Sequence, residues 1–259
     1  MEFCDLSAQY RAYKTEIDQA IASVIASSAF INGPDVKALE QELVDFSGAS
    51  HVIACANGTD ALQVPLMAMG IGPGDEVIVP DFTFYATAEM VALVGATPVF
   101  ADIDPLTYNI TVDTIRPLVN KRTKGIIPVS LYGQIPDLEA INTFAAEHGL
   151  WVMEDGAQSF GATRGGKRST SLTALATTSF FPAKPLGCYG DGGAIFCSDE
   201  ALAVKIRCIC GHGQIKRYHH GMVGINSRLD TIQAAILRVK LRHFEKELGM
   251  RDQVAKWYT

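Results

Sequence analysis

The 259-residue sequence lacks any long apolar run, and no stretch approaches the ~18 uninterrupted apolar residues of a membrane-spanning helix. Its first residues also lack a basic segment followed by an apolar core, so no secretory signal is expected. Basic residues are the minority, because 22 Lys and Arg stand against 28 Asp and Glu, for a net charge of −6. This balance argues against nucleic acid as a partner. Together these absences predict a cytoplasmic protein that binds neither membranes nor nucleic acid.

Cysteines are few and poorly spaced for metal or redox chemistry. Cys208 and Cys210 are separated by one residue, which is not the C-x-x-C spacing of zinc and redox motifs. A metal site that also uses the nearby His212 is the less favoured alternative. Most of the six cysteines lie in or beside apolar stretches, so free buried thiols in a reducing compartment are expected and no metal is predicted.

With 48% hydrophobic and 19% charged residues, the chain has the composition of a folded protein. Short β-branched apolar runs alternate with helical periods. Several runs are apolar throughout, as in strands that are covered on both faces. The alternation predicts an α/β fold with three α-β-α layers and a mostly parallel seven-stranded sheet. The strands are predicted at residues 51–55, 76–79, 97–103, 125–129, 151–153, 176–180 and 193–197.

Three helices are marked most clearly. One begins at Pro34 and stops at Gly48, and a second runs from Pro136 to residue 149. The third is long, from Arg228 to the last residue. Pro65 lies inside a further predicted helix, where a lost backbone hydrogen bond is expected to bend it.

Residues 55–62, CANGTDAL, lie where a predicted strand ends and a helix begins. In an open α/β sheet, ligands bind beyond the carboxyl ends of the strands. The helix N-terminus and the Thr59 hydroxyl would then face an anion such as a phosphate. The alternative is an ordinary capped turn, with Thr59 or Asp60 as the cap.

Residues 152–159, VMEDGAQS, close an apolar strand with an acidic pair. A buried carboxylate needs a partner, and the protonated ring nitrogen of a cofactor would serve for a carboxylate of this pair. Gln158, three residues later, could offer its amide to the same ligand. The alternative reading has Asp155 capping the next turn.

Residues 179–187, SFFPAKPLG, hold Lys184 between two prolines in an apolar segment. A desolvated lysine has a lowered pKa and can form a Schiff base, whereas the alternative is an exposed loop lysine. Residues 79–87, VPDFTFYAT, offer an aromatic side chain that could stack on a planar ring. Core packing is the alternative for that aromatic.

Taken together, these segments resemble the DegT/DnrJ/EryC1/StrS family of sugar aminotransferases, which are pyridoxal-phosphate enzymes of fold type I. The resemblance extends from residues 30–34, FINGP, to residues 226–230, NSRLD. It implies that Lys184 binds the cofactor as a Schiff base and moves the proton during amino transfer. It implies that Asp155 keeps the pyridine nitrogen protonated, so that the ring accepts electrons.

The resemblance assigns further cofactor contacts residue by residue. Gln158 would contact the phenolic oxygen of the ring, and Phe84 would stack on the ring. Asn226 would reach the phosphate bound by the other subunit of a homodimer, so that active sites are shared. The phosphate would be held within one chain by Gly58, Thr59 and Ser179.

Within the family, residues 131–134, 178–182 and 217–228 resemble enzymes that act on UDP-2-acetamido-2-deoxy-3-oxo-glucuronate. This implies that an amino group passes from glutamate to the 3-keto group of a nucleotide sugar used for bacterial surface polysaccharide such as O-antigen. Arg228 is the candidate for the uronate carboxylate, because its guanidinium fits a carboxylate bidentately. An intersubunit ion pair is the alternative role of Arg228. Tyr132 and His219 are expected at the substrate entrance.

The resemblance also predicts an organisation in three parts. Residues 1–30 would form an N-terminal helical segment, 31–240 the cofactor-binding large domain, and 241–259 the start of a helix leading to a C-terminal small domain that is missing here. A truncated or non-catalytic family member is therefore the main alternative. The dehydratase branch, which has histidine in place of Lys184, and a dinucleotide-binding oxidoreductase, whose G-x-G-x-x-G motif is absent, are less favoured.

Overall fold

The computed structural model describes residues 4–258, which contain eight α-helices and eleven β-strands. The strands of the central sheet are β1 (His51–Cys55), β2 (Glu76–Pro80), β3 (Thr97–Ala101), β4 (Thr123–Ile126), β5 (Trp151–Asp155), β8 (Leu175–Ser179) and β9 (Gly193–Cys197). Two small hairpins consist of β6 (Thr163–Arg164) with β7 (Lys167–Arg168), and β10 (Gln214–Lys216) with β11 (His219–His220). The helices are α1 (Leu6–Ser27), α2 (Pro34–Ser47), α3 (Gly58–Met69), α4 (Ala86–Leu93), α5 (Val112–Ile115), α6 (Leu138–Glu147), α7 (Glu200–Cys210) and α8 (Thr231–Tyr258).

The central sheet has the strand order β1-β9-β8-β5-β4-β2-β3. Strands β8, β5, β4, β2 and β3 pair in parallel, whereas β9 is antiparallel to both of its neighbours, β1 and β8. The mostly parallel seven-stranded sheet is therefore confirmed. All seven predicted strands form, two of them with the predicted bounds and the others with ends shifted by one to three residues.

Helices cover both faces of the sheet, which confirms the three layers. On one face, alternate residues such as Ile53 and Ile195 pack against α3, α4 and α7. On the other, Val52 and Phe196 pack against α2 and α8, while Ile126 belongs to a cluster with residues of α5 and α6. Because helices cover both faces of the sheet, the polar groups at the strand ends are the part of the sheet that can bind a ligand.

The predicted helices form with small changes at their starts. Helix α2 runs from Pro34 to the left-handed Gly48, as expected. Helix α6 begins two residues after Pro136, because the Asp137 side chain accepts a hydrogen bond from the Ala140 N–H and so caps the helix. Helix α3 continues through Pro65 to Met69, and the bend expected at Pro65 stays a prediction.

Helix α8 begins at Thr231 and not at Arg228. The preceding residue, Asp230, forms a bridge with Ile31, and the Thr231 N–H donates to the Phe30 carbonyl at 3.0 Å. The helix runs without a break across residues 240 and 241 and packs against α1. The proposed three-part organisation stays a prediction, and residue 259 lies outside the described part. Within residues 4–258, none of the helices has the length and apolarity needed to cross a membrane.

Candidate active site

A cavity of about 520 Å³ opens at the carboxyl ends of β1, β5 and β8. Its volume is in the range of small-molecule and cofactor sites. It brings together seven of the eight residues predicted to bind the cofactor, from four separate segments of the chain. The seven that line the cavity are Gly58, Thr59, Phe84, Asp155, Gln158, Ser179 and Lys184.

Asp155 is the last residue of β5, and only 5% of it is exposed. One carboxylate oxygen accepts a hydrogen bond from the Thr87 hydroxyl at 2.8 Å, and the other accepts one from the Ala157 N–H at 3.1 Å. In the described part of the chain, no cationic side chain lies within 4.0 Å of this carboxylate. Burial raises the pKa of the carboxyl, against the two hydrogen bonds and the nearby Lys184.

The adjacent acid, Glu154, points to the opposite face of β5, because successive side chains of a strand alternate. Its carboxylate is fully buried and accepts hydrogen bonds from the Ser130 hydroxyl at 2.6 Å, the Ser169 hydroxyl at 2.7 Å and the Thr170 N–H at 2.8 Å. Burial raises the pKa of Glu154 as well, and these donors oppose the shift. The acidic pair is thus divided: Glu154 joins two loops, while Asp155 faces the cavity.

Lys184 lies in the loop that follows β8. The loop closes on itself, because the Lys184 N–H donates to the Phe181 carbonyl and the Cys188 N–H to the Phe180 carbonyl, both at 2.8 Å. Lys184 is half-buried. Burial lowers the pKa of its amine, and attraction to Asp155 opposes that change. The amine and the carboxylate therefore face one cavity from different segments, which excludes the alternative of a fully exposed loop lysine.

The N-terminus of α3 forms another wall of the cavity. The helix cap is Asn57, whose Oδ1 accepts a hydrogen bond from the Asp60 N–H at 2.7 Å. The cap is therefore neither Thr59 nor Asp60, the two residues that the alternative of an ordinary capped turn named. The Thr59 hydroxyl has no hydrogen-bond partner among the described residues. The first N–H groups of a helix lack partners within it, so those of Gly58 and Thr59 suit an anion.

Gly58 is in close contact with the end of β8. A Cβ atom at this position would lie 2.5 Å from the Cβ of Ser179, which is too short for two carbon atoms. The absence of a side chain at Gly58 lets the start of α3 and the end of β8 meet. As a result, the Thr59 and Ser179 hydroxyl groups line the same cavity.

Gln158 and Phe84 occupy further parts of the cavity lining. The Gln158 Oε1 accepts a hydrogen bond from the Tyr132 N–H at 2.9 Å, which holds the side chain amide in place. Tyr132 has a left-handed φ of 56°. Phe84 is 68% exposed, so its ring is available to a ligand rather than packed in the core.

The structure does not bring Asn226, Arg228, Tyr132 and His219 into the cavity lining of this chain. Arg228 donates a hydrogen bond from Nε to the Asn226 Oδ1 at 2.9 Å, and Asn226 is exposed. The Tyr132 side chain is 72% exposed. His219 lies in the exposed hairpin of β10 and β11.

Two residues of this region have no predicted role, Thr87 and Asn57. Asn57 was detectable from local sequence, because asparagine before a helix start is a preferred cap. Thr87 was not, since its contact with Asp155 joins residues 68 positions apart. Among residues 4–258, no group of three or more His, Cys, Asp or Glu side chains is placed to hold a metal ion.

The sequence matches known proteins along its whole length. Residues 11–259 match the family model described as the DegT/DnrJ/EryC1/StrS aminotransferase family. The chain belongs to this family. It is 57% identical over 258 residues to a Pseudomonas aeruginosa protein named UDP-2-acetamido-2-deoxy-3-oxo-D-glucuronate aminotransferase, and the match covers all of this chain and 72% of that protein.

Solved structures of the family share the fold. A family aminotransferase from Brucella abortus superimposes with a TM-score of 0.96 at 47% identity, over 100% of this chain and 71% of that one. A Bacillus subtilis protein solved with bound cofactor PMP has a TM-score of 0.85 at 34% identity, over 90% of this chain and 53% of that one. The predictions of fold type I and of an aminotransferase that depends on pyridoxal phosphate are therefore confirmed.

Proposed function

We propose that this family member binds pyridoxal phosphate in the cavity between α3, β5 and the Lys184 loop, and transfers an amino group from glutamate to a UDP-linked 3-keto-uronate sugar. The observation that carries the proposal is the convergence of an amine, a buried acid and a helix N-terminus on one cavity. The three groups come from separate segments of the chain, so it is the fold that brings them to one cavity.

The residues present fit the cofactor. Among residues 4–258, Asp155 has two hydrogen-bond donors but no cation within 4.0 Å, although a buried carboxylate is costly without a positive partner. A protonated ring nitrogen would supply that partner. Away from this acid, the N–H groups of Gly58 and Thr59 and the hydroxyls of Thr59 and Ser179 offer the donors that a phosphate requires.

Each of these residues has a defined task in the reaction. Asp155 would hold a proton on the ring nitrogen, because its carboxylate would stabilise the positive charge there. Gln158, fixed by the Tyr132 N–H, orients the ring oxygen through its amide. Lys184 would hold the cofactor through its amine, and the same amine would be the base that takes the proton from the α-carbon of glutamate. A lowered pKa suits this task, because it leaves more of the amine in its basic form.

When bound, pyridoxal phosphate supplies the carbonyl that carries the amino group and the ring that accepts electrons. In its protonated form the Lys184 amine would be the acid that gives a proton to the sugar carbon that gains nitrogen, so the same side chain would serve as base for glutamate and as acid for the sugar. Phe84 covers one face of the site as a flat apolar surface. Its high exposure in this chain leaves the ring free to make that contact.

Arg228 supports the choice of a uronate sugar, because a guanidinium binds a carboxylate bidentately. The name of the Pseudomonas aeruginosa relative refers to a 3-oxo-glucuronate linked to UDP. The product would be a 3-amino sugar for bacterial surface polysaccharide such as O-antigen. The proposal includes a cytoplasmic location, where nucleotide sugars and glutamate are both available.

Asn226, Arg228 and His219 lie outside the cavity of their own chain, and we assign them to the active site of a second copy in a homodimer. Asn226 and His219 are exposed and Arg228 is partly exposed, which supports this assignment. Mixed dimers test it. Lys184→Ala and Asn226→Ala subunits, each inactive alone, should regain activity when mixed, because one of the two sites then has both residues intact. Mixtures that stay inactive would place Asn226 in its own chain's site.

A visible absorbance band tests the cofactor assignment. Pyridoxal phosphate added to the protein should give the band of a Schiff base, and added glutamate should then remove it as the amine form of the cofactor appears. Lys184→Ala should show no band, whereas Lys167→Ala, which removes an exposed hairpin lysine, should behave like the wild type. A band that persists in Lys184→Ala would refute the assignment.

A further inference from the structure

We propose that Gln233 and Lys240, two side chains of α8, position the loop of residues 181–190 and thereby the amine of Lys184. Neither residue lines the cavity, so both are positioning residues and not catalytic ones. The inference rests on the proposed role of Lys184. It adds that the loop is held from outside the cavity by α8, whose Lys240 lies 53 residues after the loop residue Gly187.

Lys240 is the more unusual of the two, because it is a lysine with only 3% of its surface exposed. Its Nζ donates a hydrogen bond to the carbonyl of Gly187, three residues after Lys184. The same Nζ lies 5.4 Å from the centroid of the Tyr189 ring. Within residues 4–258, no carboxylate lies within 4.0 Å of this amine. The loop carbonyl and the aromatic ring are therefore its partners.

Burial lowers the pKa of Lys240 to about 8, so at neutral pH the amine is still largely charged. A buried charge without a counter-ion is costly, and an apolar residue of similar size would fill the same volume without that cost. A lysine at this place is therefore poorly explained by core packing alone. Its hydrogen bond to the loop that carries Lys184 gives the buried amine a function.

Gln233 lies seven residues before Lys240, which is about two helical turns, so both side chains extend from the same side of α8. Its amide binds both backbone groups of Tyr189: Oε1 accepts from the N–H at 2.8 Å, and Nε2 donates to the carbonyl at 3.4 Å. Together, Gln233 and Lys240 contact the loop backbone at Gly187 and at Tyr189.

The other end of the loop is fixed by the sheet. The Phe180 N–H donates to the Gly192 carbonyl at 2.7 Å, and the Cys188 N–H donates back to the Phe180 carbonyl at 2.8 Å. Lys184 thus lies between a part held by the sheet and a part held by α8. An amine that must attack a carbonyl depends on such placement, because small displacements of a reacting group reduce the rate strongly.

Hydrogen exchange of the amides at residues 183–191 tests the inference directly and needs no cofactor. In Lys240→Met and in Gln233→Leu these amides should exchange at least ~10-fold faster than in the wild type, because a backbone contact is lost. Lys240→Arg, which keeps a donor, should restore most of the protection. Lys246→Met, which removes an exposed lysine of the same helix, is the matched control and should change nothing.

The second measurement is the rate at which the Schiff-base band forms with added pyridoxal phosphate. Lys240→Met and Gln233→Leu should form the band ~10-fold more slowly at unchanged secondary structure, and Lys240→Arg should recover the rate. Unchanged exchange in both variants, or faster exchange with an unchanged band rate, would overturn the inference. Absence of the band in the wild type would refute the proposed function instead, and the exchange data would still show whether α8 holds the loop.

Discussion

Thr87→Val is the most informative single change, because it removes one hydrogen bond from the Asp155 carboxylate and leaves the shape of side chain 87 nearly intact. Thr87 is fully buried at the start of α4, and its hydroxyl donates to Asp155 at 2.8 Å. Valine replaces the hydroxyl with a methyl group. The carboxylate then keeps the Ala157 N–H as its hydrogen-bond donor among the described residues.

The magnitude follows from the charge of the acceptor. A hydrogen bond to a charged group contributes about 1.5–3 kcal/mol. The free energy of unfolding at pH 7 should fall by about that amount. The same loss raises the pKa of Asp155, because the hydroxyl stabilises the ionised form. A weaker acid partner protonates the ring nitrogen less well, so the rate of the glutamate half-reaction should fall by about 10-fold or more.

Urea unfolding followed by circular dichroism measures the first effect, and stopped-flow absorbance after addition of glutamate measures the second. Thr87→Ser keeps the donor and is the matched control. At pH 4 the difference between valine and serine should shrink, because hydrogen bonds to a neutral carboxyl are weaker. Equal stability and equal rates for the two variants at pH 7 would refute the role given to this hydroxyl.

Further substitutions probe the carboxylate, the phosphate end and the substrate. Since burial raises the pKa of Asp155, the unfolded chain loses this proton at lower pH than the folded one, and the free energy of unfolding falls as pH rises above about 4. Asp155→Asn should reduce that slope when urea unfolding is measured at several pH values. The same variant should keep the visible band but slow the glutamate half-reaction ~100-fold. An unchanged slope or rate would contradict this. Gly58→Ala should weaken binding of pyridoxal phosphate and lower the free energy of unfolding by about 1–3 kcal/mol, because its Cβ would lie 2.5 Å from that of Ser179. Gly249→Ala is the control, because a Cβ there has no atom within 4 Å. Equal effects of the two substitutions would contradict the steric role given to Gly58. Arg228→Ala should raise the KM for a uronate sugar ~10-fold and leave the KM for a neutral sugar almost unchanged. An equal rise in both KM values would indicate a structural role for Arg228.

Much of the fold could be predicted from the sequence because its signals are local. The sheet strands are apolar over most of their length, and in a covered sheet this pattern does not depend on distant partners. Lys184 and the acidic pair of Glu154 and Asp155 could be singled out for the same reason, since they follow or end such strands. The helix starts were less predictable, because caps such as Asp137 and bridges such as Asp230 with Ile31 decide them.

The contacts that prepare the site could not be predicted in this way. Thr87 reaches Asp155 across 68 residues, and Lys240 reaches Gly187 across 53. Such pairs depend on how the layers pack, and a single sequence carries no direct sign of them. The choice between Glu154 and Asp155 is similar, because the side of β5 on which the cavity opens is a property of the whole sheet.

The antiparallel strand β9 lies between β1, which leads into α3 and its Thr59 hydroxyl, and β8, which ends at Ser179. Its first residue, Gly193, would place a Cβ 2.5 Å from the carbonyl oxygen of Asn57. Any side chain there would push apart the start of α3 and the end of β8, which hold the two halves of the proposed phosphate site. Redesign of this enzyme for other acceptors must therefore keep glycine at position 193, because the backbone of Asn57 leaves no room there for a side chain.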